Sequence, residues 1–446
     1  MKPQVLVAYA LPVLVTQFVY TSFTTVLPGV YAKYFGLSAA SIAFTLLVTR
    51  LFDAVSDPLI GYLSDASQSR LGRRKPWIAA GTVITAIAIW QISQPDQTVD
   101  VARHFTVWAL VFYLGWTMME IPHTAWGSEL DSSYDGRNKT FFTRSLIGVV
   151  GPLGFAAIPV LINAPTTEIT PQVMSAAALV FILVAPVCVG ISLLYAPIGT
   201  QVVTASRQNL SDSFRAIATN QLFWRLFAVF VTGGLAAGIN GTLMFVYFDT
   251  FLGLGDKLAY AMGAMLLSAL IGLPLWLFVL RYLDKSRAWS VSLLLASLWV
   301  AAPAILSPGE GAFIPVVVMV VGLALSSGAG VIVPFSLLGD VVDYDHWKSG
   351  QNRAGAYYAV FMFGVKLNAA IGGSLAFGLL ALFGYDAAAT VHTDFAVMGL
   401  KLTYAIVPAG LFAMAAVFVF YFPLTKSKHD IIRRALARRV DRVPGQ

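Results

Sequence analysis

What most constrains this chain is the recurrence, twelve times in 446 residues, of apolar runs long enough to cross a bilayer. A membrane-spanning helix needs about 20 mainly apolar residues, because lipid offers the backbone no hydrogen bonds and each span must satisfy its own. The runs fall at about 6–34, 38–64, 76–95, 104–128, 140–164, 173–198, 220–250, 256–282, 288–307, 312–338, 354–384 and 395–424. Gly and Pro recur inside them (Pro58, Pro122, Gly151, Pro152, Pro274, Gly372, Gly373). A membrane bundle tolerates such residues, and small ones let helices cross closely. The pattern predicts an all-α integral membrane protein of twelve transmembrane helices.

Charge supports the same solvent. Only 11% of residues are charged and 58% are hydrophobic, whereas a soluble domain carries about 25% charged residues to wet its surface. The net charge of +7 lies in short connections and the tail. It forms no basic stripe interleaved with aromatics, so the lipid bilayer and not nucleic acid is the expected partner. Lys and Arg concentrate after helices 2, 4, 6, 8 and 10 (Arg70, Arg73, Arg74, Lys75; Arg137, Lys139; Arg207, Arg215; Lys285, Arg287; Lys348) and in the tail from Lys426 to Arg442. The other side holds little beyond Lys33, Arg103 and Lys257. Positive charge marks the cytoplasmic side, so both termini are expected there, in a multi-pass protein of the cell membrane, the inner one in a bacterium. Met1-Lys2-Pro3 leads straight into the first span without a small-residue cleavage site, which points to a retained helix and not a signal peptide. The lone Cys188 cannot form an intramolecular disulfide.

The longest polar connection, from Gly199 to Asn220, divides the spans six and six. Four regions are expected: a six-helix bundle over 1–198, a cytoplasmic central loop over 199–219, a second bundle over 220–424 and a basic tail over 425–446. Gly61-Tyr62-Leu63-Ser64-Asp65 ends helix 2, and Arg281-Tyr282-Leu283-Asp284-Lys285 ends helix 8, the same place in the second half. Two related bundles are the arrangement that supports alternating access to a midplane site. The segment from His429 to Val440 pairs basic residues with Ile431, Ile432, Leu436 and Val440, and suits either an anionic lipid surface or a solvated tail.

Ionisable groups at helix-centre depth cost about 2.5–3.5 kcal/mol on insertion scales, so they mark function by default. Helix 2 carries Arg50, Asp53 and Asp57, with Ser56 beside them; spacings of three and four put the charges on one face. Two carboxylates one turn apart repel unless one is protonated or a cation sits between them. With hydroxyl oxygens nearby, the set suits a small hard cation or a proton. Helix 4 carries Glu120, with Thr117 one turn before and Thr124 one turn after, and helix 11 carries Lys366. Arg144 opens helix 5, as a functional cation or an interface anchor. The plain alternative for helix 2 is an ion network that only holds helices together; charges on three of the spans favour function. His123 beside Glu120 suits packing better than ligation. Trp116 and Trp126 flank Glu120 and suit packing or stacking on a substrate ring.

At these residues the chain resembles the glycoside–pentoside–hexuronide:cation symporters, the melibiose-permease-like branch of the major facilitator superfamily. The resemblance rests on Arg50-Leu-Phe-Asp53-Ala-Val-Ser-Asp57-Pro-Leu-Ile-Gly61, on Ser64-Asp65 and on Ser69-Arg70-Leu-Gly72-Arg73-Arg74-Lys75-Pro76-Trp77. It extends through Glu120-Ile-Pro122, Asp135-Gly-Arg137 and Arg144, and through Asp340-Val-Val-Asp343-Tyr344 to Trp347, Gly350, Arg353, Gly355 and Lys366. It implies a major facilitator fold of two six-helix bundles. It also implies a cation site at Asp53, Asp57 and Thr117, with Ser56 where sodium-using sugar members often have Asn. A serine brings no amide carbonyl to an ion, which favours a proton, although Thr117 or water could complete a sodium shell. Glu120 falls where the melibiose type uses Asp on sugar hydroxyls, and Arg144 and Lys366 match positions near the sugar. The helix-1 sugar-binding Asp is replaced at about Gln17, with Tyr20 and Thr24 on the same face, and a Trp after the helix-4 acid is replaced by Thr124. The coupling machinery is thus kept better than the sugar site.

The expected function is secondary active transport: cation-coupled symport of a sugar, glycoside or hexuronide by alternating access, driven by H⁺ or Na⁺, with no cofactor and as a monomer. A carrier of a less polar amphiphile such as a lysolipid, or a membrane-embedded non-transport protein, is the alternative. An enzyme is not expected, because five scattered His and one Cys supply no nucleophile–base or metal constellation. Asp65, Arg70, Arg73, Glu129, Arg137, Asp340, Asp343 and Arg353 lie at cytoplasmic helix ends and are expected to form the salt bridges that close an inner gate.

Overall fold

The computed structural model describes residues 3–95, 100–130, 134–162, 164, 168–198, 210–351, 353–389, 391–424 and 426–440. Eleven helical spans there are long and apolar enough to cross a membrane. The twelfth, Ala354–Leu382, is a helix of 29 residues. No strand occurs among the described residues. Helix 1 runs Pro3–Thr21, passes through a π-helical turn at Ser22–Val26 and continues Leu27–Tyr34. Helices 2 to 6 are Ala39–Ala66, Lys75–Ser93, Val101–Leu130, Tyr134–Gly148 with Val150–Leu161, and Pro171–Tyr195. Helix 7 runs Gln221–Phe245 into a second π-helical turn, Val246–Phe251. Helix 8 is Leu258–Val279, helix 9 Lys285–Ala301, helix 11 Ala354–Leu382, and helix 12 Asp394–Lys401 through Val407–Phe420.

Helix 10 differs from expectation. It does not stop near 338 but runs as Phe313–Ser326 and Gly328–Ser349, ending where Gly350 takes φ 70°. Apolarity ends with the membrane, but a helix ends only at a breaker. The polar stretch from Asp340 to Ser349 contains none, and Gly350 supplies the left-handed cap. The central connection also departs from a plain loop, since Leu210–Thr219 is helical. In the tail, Lys426–Val440 is helical and rests on helix 10, with Ile432 buried there.

Within the first half, helix 1 packs on helices 5 and 6, helix 2 on helix 4, and helix 3 on helix 4. Within the second, helix 7 packs on 11 and 12, helix 9 on 12, and helix 8 on 10. The crossing of helices 7 and 11 is close because Gly238 meets Gly372: a Cβ on Gly238 would stand 3.1 Å from the Gly372 Cα. Helices 2 with 11, 5 with 8, and 1 with 7 join the halves.

The face carrying both chain ends is here called the terminal face, and the other the far face. Buried apolar side chains of both halves merge towards the far face, where Phe23, Val26 and Tyr31 share a core with Phe245, Phe248 and Tyr404. Towards the terminal face the second half has a separate core, including Trp289, Leu337 and Phe361.

Candidate functional site

Helix 2 brings its charges to the interior because Leu51 and Val55 between them, and Leu59 just after, are exposed on the opposite, lipid-compatible face. Asp53, Ser56 and Asp57 are buried. One turn earlier, Arg50 donates from Nη1 to Asp53 Oδ2 at 3.2 Å and from Nη2 to the Tyr113 hydroxyl at 2.8 Å. Its guanidinium carbon lies 4.5 Å from the centre of the Tyr113 ring. Tyr113 and Thr117 are one turn apart on helix 4, so this stretch of helix 4 faces the Arg50–Asp57 stretch of helix 2.

The hydroxyls here behave unusually. A Ser or Thr inside a helix ordinarily bonds a carbonyl one turn back, as Thr49 does to Leu46 at 2.9 Å and Ser64 to Gly61 at 3.0 Å on this same helix. Ser56 Oγ and Thr117 Oγ1 are buried with no hydrogen-bond partner among the described residues. Buried hydroxyls in that state call for an ion, water or ligand.

A cavity of about 290 Å³ lies between the halves beside this cluster. Tyr20, Leu46 and Arg50 line it from the first half, and Gly234, Gly238 and Gly373 from the second. Gly234 and Gly238 allow helix 11 to approach closely, since a Cβ on either would meet Asn368 or Gly372, and Gly241 in the same wall faces open space.

Glu120 is joined by Arg144, which donates from Nη2 to Oε1, while the Thr124 hydroxyl lies 3.4 Å from the same oxygen. Arg144 is thus turned to the interior and does not anchor the interface. Glu120 Oε2 and Arg144 Nε are buried with no partner among the described residues, one acceptor and one donor side by side. Gln17 is half-buried and faces Gly148 of helix 5. Tyr20 stacks on Trp116, ring centres 5.5 Å apart and planes at 29°. His123 is a packing residue: it stacks on Tyr9 and its Nε2 lies 2.7 Å from the Tyr9 carbonyl. Trp126 is buried and donates to the Pro197 carbonyl. The side chains of Thr24, Asp65, Arg137 and Lys366 lie outside the described residues. Among the described residues no three His, Cys, Asp or Glu gather in a metal site.

Among the described residues, the ion pairs found for the expected gate at the terminal face lie within one half or the other. Arg73 and Arg74 both bond Glu129, at 2.7 and 2.9 Å, inside the first half. Lys285 bonds Asp340 at 2.7 Å, His429 bonds Asp343 at 2.9 Å, and Arg353 lies 3.4 Å from Asp345, all inside the second. Arg70 is exposed. The cause is local: each pair links adjacent helix ends of its own half. An ion pair that does cross lies at the far face, where Lys33 Nζ is 2.7 Å from Asp249 Oδ2 and 2.8 Å from Glu168 Oε1. Burial alone would raise the Glu168 carboxyl, but hydrogen bonds from Lys33 and Tyr34 hold it below its usual range.

Sequence reasoning left out Asp249, Glu168, Arg74, Asp345 and His429 as site residues, and gave Arg50 no ligand. The far-face acids carry one available signal, since Asp249 closes an apolar run just as Lys33 does.

The sequence profile of the MFS/sugar transport protein family matches residues 8–426. A glucuronide carrier protein homolog of Escherichia coli (strain K12) is 23% identical, over 95% of this chain and 93% of its own length. The putative glycoside/cation symporter YagG of the same organism is 23% identical over 94% and 92%. Sodium-dependent lysophosphatidylcholine symporter 1 of Gallus gallus is 23% identical over 88% and 81%. Among solved structures, the nucleoside transporter NupG superimposes with a TM-score of 0.66 at 15% identity, covering 94% of this chain and 98% of that one. That likeness establishes the fold.

Proposed function

The chain belongs to the MFS/sugar transport protein family, and from that premise we propose that it is a cation-coupled symporter of a glycoside or hexuronide, working by alternating access in the cell membrane. The observation that carries the cation site is the pair of buried, partnerless hydroxyls, Ser56 Oγ and Thr117 Oγ1, beside Asp53 and Asp57. Carboxylates with added neutral oxygens are what a small hard cation requires. A proton needs one carboxylate and would leave both hydroxyls idle. Sodium is therefore our proposed coupling ion.

Glu120 and Arg144 offer one free acceptor and one free donor. A sugar hydroxyl can accept from one and donate to the other, which supports a polyol beside helices 4 and 5. Cation and solute would share a free-energy coupling of about 1–3 kcal/mol, and it is reciprocal. With the terminal face cytoplasmic, as the Lys and Arg distribution favours, Lys33 and Asp249 would hold the outer side shut while the monomer presents its site inward. Closure of the inner side would require Arg73, Glu129, Asp340, Asp343 and Arg353 to exchange partners.

The likeness to a lysophosphatidylcholine symporter keeps an amphiphile as the second reading. Uptake by proteoliposomes, screened across glycosides, hexuronides and lysolipids with sodium and pH gradients varied separately, tests all of this. No accumulation under any gradient would overturn the symporter reading.

A further inference from the structure

Arg50 stands in the wall of the cavity with Tyr20, and at the same time holds Asp53, a carboxylate of the proposed cation site. We infer that Arg50 is a receptor for an anionic group on the transported solute, and that cation binding at Asp53 uncovers it. This rests on the cation-site reading above and extends it to the chemistry of the solute.

Three features carry the inference. First, the guanidinium is fixed by something other than the acid: Nη2 bonds the Tyr113 hydroxyl at 2.8 Å, and the guanidinium carbon lies 4.5 Å from the ring centre. An arginine stacked on an aromatic face keeps its place when its carboxylate partner leaves. Second, its hold on Asp53 is loose. The Nη1–Oδ2 separation of 3.2 Å exceeds the roughly 2.7–2.9 Å of a well-formed charged pair. The Arg50 Nε is also buried with no partner among the described residues. A guanidinium has five donors in a rigid fork, so this one has capacity to spare for a planar, bidentate anion. Third, the space in front of it is open: the facing wall includes Gly241, where a Cβ would meet nothing within 4 Å.

A cation on Asp53 draws that carboxylate's charge away from Arg50. The cluster of Arg50, Asp53 and Asp57 passes from a net charge of about −1, which repels an anionic solute, to neutral, and the arginine's donors become available to that solute. Without the cation, the solute's anion must compete with Asp53. The order cation first, anion second follows from electrostatics alone, with no large movement required. Tyr20, stacked on Trp116 beside Arg50, gives the ring that bears the anion an aromatic face to lie on. The anion can be the carboxylate of a hexuronide or the phosphate of a lysolipid, since an arginine fork fits both.

The test is equilibrium binding to the purified full-length protein, with phenyl β-D-glucuronide, phenyl β-D-glucoside and lysophosphatidylglycerol as probes, each with sodium or with choline. In sodium, one anionic probe should bind about tenfold or more tighter than the neutral glucoside, the range of a charged hydrogen bond; which one does so identifies carboxylate or phosphate. In choline that preference should largely vanish. Arg50→Gln should remove the preference in both salts. Asp53→Asn takes away the competing carboxylate, so its preference for the anion should persist in choline, independent of sodium. Monodispersity and thermal unfolding confirm that each variant is folded. The proposal is overturned if wild type binds the anionic and neutral probes equally in sodium, or if the preference survives Arg50→Gln. It is also overturned if Asp53→Asn still needs sodium to show the preference. Failure of uptake alone would strike the symporter reading and leave this equilibrium measurement standing.

Discussion

Lys33 Nζ lies 2.7 Å from Asp249 Oδ2, so one ammonium ties the first helix of one half to the first helix of the other. The two helices also share a π-helical turn near this end, at Ser22–Val26 and Val246–Phe251. Such turns put an extra residue into a helix and often re-aim a functional side chain. Asp249 lies inside the second of them.

The clamp can be broken from the lysine side. The Asp249 side chain is only 2% exposed, and removing one partner of a buried pair costs about 3–5 kcal/mol because a buried charge is left behind. That cost applies while the far face is shut and falls away once water reaches the carboxylate. Lys33→Met should therefore shift the protein towards opening at the far face. A thiol introduced into the cavity wall by Gly241→Cys, where a Cβ meets nothing within 4 Å, in a Cys188→Ala background, should label from that side at least about tenfold faster. Lys33→Met with Asp249→Leu should restore slow labelling by replacing the pair with apolar contact. Unchanged labelling in Lys33→Met would show that the apolar far-face core alone keeps the halves shut.

Acid should act on the same clamp in a defined direction. Glu168 titrates below its usual range because Lys33 and Tyr34 bond its carboxylate, despite the opposing effect of burial. A lowered carboxylate contributes its full stabilisation above the ordinary value and loses it as pH falls through the depressed one. Scaled to a fully exposed reference thiol, so that the fall in thiolate with pH cancels, the part of the Gly241→Cys labelling that depends on Glu168 should thus stay flat down to about pH 4.3, the ordinary glutamate value, and rise only below it. A rise at milder pH that disappears in Glu168→Gln would contradict this assignment.

The sequence made the spans legible because each must be apolar along its whole length. It also made the helix-2 acids legible, because charge at membrane depth is conspicuous. It did not reveal where helix 10 stops, since Asp340 to Ser349 is polar but contains no breaker before Gly350. Nor did it reveal partners. Arg353 and Asp343 looked like two members of one gate, yet Arg353 meets Asp345, and Asp343 meets His429 of the tail helix. Which acid on a helix faces which neighbour depends on its rotation and crossing angle, fixed by close approaches such as Gly238 on Gly372. The hydroxyl state of Ser56 and Thr117 was equally hidden, because composition does not say which oxygen lacks a partner.

At Glu120 the expected loss is in solute affinity. Oε1 is engaged by Arg144, and Oε2, which has no partner among the described residues, is the acceptor proposed for a solute hydroxyl. Glu120→Gln should weaken solute binding by about 1.5–3 kcal/mol, the range of a charged hydrogen bond, with cation affinity far less affected. Isothermal titration of each ligand separately checks this. Intact solute affinity with an altered pH dependence of transport would place Glu120 on a proton path.

Asp53→Asn and Asp57→Asn should each abolish accumulation against a gradient while the protein still inserts and remains folded. If both are ligands as proposed, neutralising either removes the cation's differential hold on the loaded state, so the gradient has nothing to act through. Exchange of labelled for unlabelled solute across the membrane, which needs no gradient, should continue. Near wild-type accumulation in either variant would remove that residue from the cation site.

The identity of the coupling ion can be decided at two atoms. Ser56 Oγ and Thr117 Oγ1 have no hydrogen-bond partner among the described residues, so deleting either breaks no protein bond and should leave stability within about 0.5 kcal/mol. A sodium ion that uses them as ligands would lose part of its shell, whereas a proton on Asp53 or Asp57 would lose nothing. Ser56→Ala and Thr117→Val should therefore raise the sodium concentration for half-maximal uptake about tenfold or more, roughly the loss of one ligand contact to a charged group. In wild type, uptake should follow sodium at constant pH, fall when choline replaces it, and survive a protonophore. Uptake that collapses with the protonophore despite an imposed sodium gradient, and that both hydroxyl variants leave untouched, would identify the proton as the coupling ion. The two acids would then keep their role, and the hydroxyls would have none.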